Sequence, residues 1–171
     1  MMKSKIVLIC FLFLGCSNCF SQLKNFKTTF NETSEGMVVG TICIENKSYS
    51  SYTFVYTDAA NGVADYANMS DSFVFKNTSG DFKEKGKTYF LFTIVKPEGN
   101  YKFAKIKIFD NSGESRVEFE VPLDLKFTIE KGKTNYLGQV TVNIKDKKFL
   151  IENKLDRDQE WFNQKAPQIQ F

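Results

Sequence analysis

The stretch from Lys87 to Asp110, KTYFLFTIVKPEGNYKFAKIKIFD, constrains this chain more than any other. Tyr89 to Val95 is an unbroken β-branched and aromatic run of strand length, apolar at both parities, which describes an inner strand covered on both faces. Pro97 fixes φ and lacks an amide hydrogen, and Gly99 can take positive φ, so Lys96 to Asn100 reads as a turn that reverses the chain. From Tyr101 to Phe109, Ala104, Ile106 and Ile108 share one face while Lys105 and Lys107 share the other, the period of a half-buried antiparallel strand. The expectation is a central hairpin.

The rest of the folded region repeats this alternation. Met37 to Ile44 is a strand with Gly40 as a bulge or close-packing point, and Tyr52 to Tyr56 and Ser72 to Phe75 are shorter strands. Between those two lies Thr57 to Asp71, a long loop with room for a helical turn around Gly62 to Asn68. Lys76 to Lys87 is a polar connection, and the run from Asp110 to Gly113 a tight turn. Ser115 to Val121 places Val117, Phe119 and Val121 inward and Arg116, Glu118 and Glu120 outward, with Pro122 ending the strand. Leu125 to Glu130, Tyr136 to Ile144 and Phe149 to Glu152 follow, separated by turns at Lys131 to Lys133 and Asp146 to Lys148. Strands at this spacing predict an all-β fold, an antiparallel β-sandwich or barrel. Only the C-terminus departs from it: Asp156 as N-cap, with Gln159 reaching back, starts a short helix over 156–166 that Pro167 stops and that docks through Trp161 and Phe162.

Residues 1–21 read as an export signal. Lys3 and Lys5 precede an apolar run from Ile6 to Leu14, too short for the roughly 20 residues of a spanning helix, and small or polar residues follow at Gly15, Ser17 and Ser21. Two processing routes remain open. Cleavage after Ser21 leaves Gln22 first and makes the product periplasmic or secreted. Alternatively, Phe13-Leu14-Gly15-Cys16 resembles a lipobox, and lipidation of Cys16 anchors the protein in the outer membrane, its one expected membrane contact. Residues 22–35 are then a polar, flexible lead-in, and 36–171 form one domain.

Composition excludes several function classes. Without residues 1–21 the chain carries 21 basic and 20 acidic side chains, and only Arg116 and Arg157 supply guanidinium groups, so nucleic-acid binding lacks the basic excess it requires. No histidine occurs, which removes Ser/His/Asp and Cys/His catalysis and His-containing zinc sites. Cys43 alternates with Val39 and Thr41 and reads as an inert core thiol. No phosphate-binding glycine loop is present, and no cofactor is expected. Glu118 and Glu120 lie about 7 Å apart on one strand face by strand geometry, a separation that carboxylate-dependent hydrolases use. Asp58, Asn61, Asp65 and Asp71 offer oxygen ligands without an EF-hand spacing. Aromatic side chains are abundant, and Tyr49, Tyr52, Tyr56 and Tyr66 are candidates for an exposed binding surface. The sequons at Asn31, Asn46, Asn68 and Asn77 read as polar loops.

Two segments carry a resemblance: Phe92-Thr93-Ile94-Val95-Lys96-Pro97-Glu98-Gly99-Asn100-Tyr101, and Phe127 to Val140 with the turn Glu130-Lys131-Gly132-Lys133. With the acidic helix near Asp156 and Pro167, they make the region from Lys87 to Phe171 similar to small exported bacterial β-sandwich proteins of the transthyretin-like or carboxypeptidase-regulatory-like type. The signal ending Phe20-Ser21-Gln22 resembles those of flavobacterial exported proteins. The resemblance implies a transthyretin- or immunoglobulin-like fold and an exported location, and it transfers no active site.

The function expected from these observations is that of a non-enzymatic binding or structural protein of the cell envelope. Its partner is an envelope protein or glycan, and its candidate surface is Tyr52, Tyr56, Asp58, Asn61, Asp65, Tyr66 and Asp71. The alternatives are a small-ligand or carbohydrate carrier with a pocket between the sheets, and a hydrolase built on Glu118 and Glu120.

Overall fold

The structure, a computed structural model, describes residues 26–45, 49–59, 70–75, 80–111 and 116–171, of which 70–75 in backbone only. The signal, Cys16 and the predicted helical turn at 62–68 lie outside the described residues. The strands are β1 (Glu35–Glu45), β2 (Ser51–Asp58), β3 (Ser70–Phe75), β4 (Phe82–Glu84), β5 (Lys87–Pro97), β6 (Gly99–Asp110), β7 (Val117–Ile129), β8 (Thr134–Asn143) and β9 (Lys148–Glu152), followed by the helix α1 (Leu155–Lys165). They form a five-stranded sheet in the order β4-β5-β1-β8-β9 and a four-stranded sheet in the order β3-β2-β6-β7. The all-β class holds.

The expected central hairpin does not form. β5 pairs with β1 and β4, whereas β6 pairs with β2 and β7, so Lys96 to Asn100 carries the chain from one sheet to the other. The patterning change at Pro97 gives the physical reason. β5 is apolar on both faces and lies where both are covered, while β6 has a lysine face that only the water-facing sheet can accept. The corner is extended rather than left-handed: Gly99 opens β6 without positive φ, and the Tyr101 hydroxyl donates to the Pro97 carbonyl at 2.9 Å. β6 also changes parity. A bulge at Ala104 puts Phe103 into the core with Ile106 and Ile108 and leaves Ala104 partly exposed.

Pro122 does not end a strand. β7 runs through it from Val117 to Ile129, because β7 is a sheet edge where a missing amide hydrogen costs no ladder bond. The sheets are not purely antiparallel either: β1 and β8 pair in parallel. That register shifts between Val39 and Gly40, where Leu137 is the extra residue of β8. A Cβ on Gly40 would stand 2.6 Å from the Gly138 carbonyl oxygen and 2.9 Å from the Phe92 ring, so only glycine admits this approach.

The two sheets share one core. Val38 and Ile42 of β1, Phe90 and Phe92 of β5 and Val140 of β8 meet Phe54 of β2, Phe103 and Ile106 of β6 and Val121 to Ile129 of β7. Phe103 is its hub, in edge or tilted contact with Phe54, Tyr56, Phe92 and Phe127 at 5.0–6.3 Å. The outer face of the five-stranded sheet bears a second cluster in which Met37, Val39, Leu91 and Val95 lie under Phe162, Ala166 and Ile169. This second cover explains why β5 and β1 lack a polar face.

Candidate binding site

α1 reaches the sheet through a buried carboxylate. Its helix begins one residue before the expected start, and the capping box is absent: Lys154 is the N-cap without a side-chain bond, and Asp156 lies within the first turn. Asn153 Oδ1 instead accepts the Leu155 amide at 3.0 Å. Asp158, fully buried, accepts from Thr41 Oγ1 of β1 at 2.7 Å and from the Tyr136 hydroxyl of β8 at 2.6 Å, both at Oδ2, while Arg157 donates to Oδ1 through Nε at 2.9 Å and through Nη2. The Arg157 guanidinium lies 4.1 Å from the Trp161 ring centroid and 5.0 Å from that of Tyr89, and Trp161 stacks on Phe82 at 4.4 Å. With each of its oxygens occupied and the carboxylate itself fully buried, Asp158 anchors the helix to the sheet.

Three acidic hydrogens of this face resist ionisation. Burial pushes up the Cys43 thiol, the Tyr89 phenol and, furthest, the Tyr136 phenol, to which the Asp158 carboxylate adds. A raised folded value contributes stability that is complete below the ordinary value and is lost as pH rises through the raised one. The ordinary values are 9.0 for the thiol and 10.0 for the phenols, so the melting temperature should fall with rising pH from about pH 9 upward. Tyr136→Phe should flatten that fall; thermal melts with equal slopes in both proteins would refute the assignment.

A cleft opens where the lead-in and the C-terminal tail meet the starts of β1 and β8. It measures about 370 Å³ and is lined by Thr28, Thr29, Phe30, Glu32, Met37, Gly132, Thr134, Gln168, Ile169 and Gln170. Its walls are fixed from both sides. Lys27 donates its amide to Thr93 Oγ1 at 2.9 Å, Phe26 stacks on Phe162 at 6.5 Å, and Asn31 folds the chain back by accepting the Ser34 and Glu35 amides at its carbonyl. Residues 26–34 are thus docked rather than a free lead-in. On the other side, Gly132 takes φ 73° in the turn before β8 and donates to the Glu35 carbonyl at 2.8 Å, while Phe171 stacks on Tyr136 at 5.3 Å. Hydroxyl and amide groups, with Glu32 at the edge, around an aromatic ring and the Met37 and Ile169 side chains suit a small polar ligand with apolar patches.

The residues singled out in the sequence are placed otherwise. Tyr52 and Tyr56 are buried in the shared core, a correction of their assignment to an exposed surface, and Tyr49 is half-buried, edge-on to Tyr52 and Phe119. Alternate residues of β2 face the other sheet, and both tyrosines share the parity of Phe54. Asp58, half-buried, ends β2 opposite Tyr101. Asn61, Asp65 and Tyr66 lie outside the described residues, as do the sequons Asn46, Asn68 and Asn77, and Asp71 is described in backbone only, paired with Tyr56. Among the described residues no three acidic or cysteine side chains gather into a metal-binding group. Glu118 pairs with Arg116 at 3.4 Å, and Glu120 with Lys105 at 2.7 Å, both on the water-facing side of the four-stranded sheet. Cys43 is buried on the strand face predicted for it. The cleft residues themselves escaped the sequence reading. Their signal was the apolar pair Phe26 and Phe30 in a polar stretch and Ile169 and Phe171 beyond Pro167, side chains that a free terminus has no reason to carry.

No protein-family model matches the chain, and no curated protein matches it. Among solved structures it is similar to a leucine-rich repeat protein from Bacteroides thetaiotaomicron, at 14% identity and a TM-score of 0.41 over 65% of this chain. The chain spans 14% of that protein's length.

Proposed function

We propose that this chain is an exported, non-catalytic β-sandwich protein that binds a glycan of the cell envelope in the cleft between lead-in and tail. The observation that carries the reading is that cleft: about 370 Å³, with Thr28, Thr29, Thr134, Gln168 and Gln170 set around Phe30. Sugars present hydroxyls to such donors and acceptors and a C–H face to an aromatic ring. Export rests on the charged and apolar pattern of residues 1–21, and the transthyretin- or immunoglobulin-like type on the core shared by two sheets. The ion pairs of Glu118 and Glu120 on an open face favour the non-catalytic reading over the hydrolase.

Titration calorimetry against a panel of neutral oligosaccharides tests the reading. Binding should weaken about five- to tenfold in Thr134→Val and in Gln168→Ala, each removing one hydrogen-bonding group. Absence of binding across the panel, or binding indifferent to both substitutions, would exclude the cleft as a glycan site.

A further inference from the structure

The last strand of the five-stranded sheet is an unguarded edge. β9, Lys148-Phe149-Leu150-Ile151-Glu152, pairs with β8 on one side only. Phe149 is 37%, Leu150 59% and Ile151 40% exposed, and they point to both faces of the sheet. Sheet edges are ordinarily protected by charge, proline or shortness. The other edges whose side chains are described obey this. β7 carries Pro122 and outward Glu118, Glu120, Asp124 and Lys126, and β4 has three residues, with Lys83 and Glu84 exposed. β9 carries charge only at its two ends and exposes three apolar residues between them, and its residue order says what covers it.

The order Lys-aromatic-Leu-Ile-Glu is self-complementary in antiparallel pairing. With a second β9 reversed beside it and centred on Leu150, Lys148 stands opposite Glu152, Phe149 opposite Ile151, and Leu150 opposite itself. Opposed residues lie on the same face, so each charged end meets its opposite and each apolar side chain meets an apolar one. A shift of one residue would set Phe149 or Ile151 against a charge. Lys148 makes no ion pair among the described residues. Glu152 is held at the outer face by Lys154 at 3.0 Å and by Gln139 at 3.2 Å, which aims it without closing it off.

We infer that β9 is the dimerisation edge of this protein, pairing antiparallel with β9 of a second copy about a two-fold axis at Leu150 so that the two five-stranded sheets become one. The contact is isologous, so it closes at two subunits and does not propagate into a fibre. Five residues a side make a small interface, and dimerisation therefore depends on concentration.

Sedimentation equilibrium of the purified protein over a concentration series tests this, with circular dichroism to confirm folding of each variant. The wild type should approach twice the chain mass. Leu150→Lys sets two ammonium groups face to face at the axis, at a position where the protomer buries little, and should return the mass to that of a monomer. Lys148→Glu opposes two carboxylates at both ends and should weaken the dimer roughly tenfold or more. Adding Glu152→Lys to that variant restores opposite charges and should restore the dimer. A wild type that stays monomeric throughout, or a dimer that Leu150→Lys leaves intact, would overturn the inference. Glycan titration is unaffected by either result.

Discussion

Replacing Asp158 with alanine should destabilise the protein by about 3 to 5 kcal/mol in denaturant unfolding, the range for removing one partner of a buried ion pair. The loss goes beyond one contact. Asp158 accepts from Thr41 of β1, Tyr136 of β8 and its own neighbour Arg157, so its removal leaves two hydroxyls and a guanidinium under the helix without their acceptor. Asp158→Asn keeps the shape and one acceptor oxygen while removing the charge, and should cost about 1 to 3 kcal/mol. An alanine variant within about 1 kcal/mol of wild type would show that water reaches the site and that the anchor is dispensable.

Phe162→Ala should cost a further large amount, about 3 to 5 kcal/mol, as a buried aromatic side chain that leaves a cavity. Phe162 is fully buried on the sheet-facing side of α1, stacked on Phe26 at 6.5 Å and edge-on to Phe171 at 5.2 Å. It therefore joins the lead-in, the helix and the tail, and with it the walls of the cleft. Limited proteolysis should show early cleavage near residues 26–34 and 167–171 in the variant while the paired strands stay protected. Uniform cleavage throughout the chain would mean that α1 supports the whole fold rather than its outer layer.

The strands were legible because side-chain period and turn residues are local properties. Val121, Leu123, Leu125, Phe127 and Ile129 alternate inward without exception, and the turn at Gly132 falls where its sequence places it. Sheet membership is a different matter. β5 and β6 meet at a turn that looks like that of a hairpin, and only the need to cover both faces of β5 sends β6 to the other sheet. The apolar second face of β1 and β5 did carry the message that something lies over it; the helix that does so was visible, but its anchor was not. Asp158 reads as one more acid in an acidic first turn, and nothing in its neighbours Arg157 and Gln159 announces that it meets Thr41 and Tyr136. The cleft was illegible for a related reason: its lining comes from the two ends of the folded chain and from the turn before β8, and sequence proximity carries no trace of that meeting. Aromatic abundance alone does not place Tyr52 and Tyr56 at the surface: Phe103 and its neighbours show that the core takes them up.

The parallel pairing of β1 with β8 also fixes when the five-stranded sheet can be completed. β1 is the middle strand of its sheet, yet one of its partners begins at Lys87 and the other at Thr134, so the first of the described strands completes its pairing only with nearly the last. Pairing of such high contact order closes slowly, on the scale of milliseconds to seconds for domains dominated by non-local strands. The four-stranded sheet and the β4-β5-β1 part of the other are complete in the chain before β8 is made, so the last seam to close is the one between β1 and the β8-β9 pair.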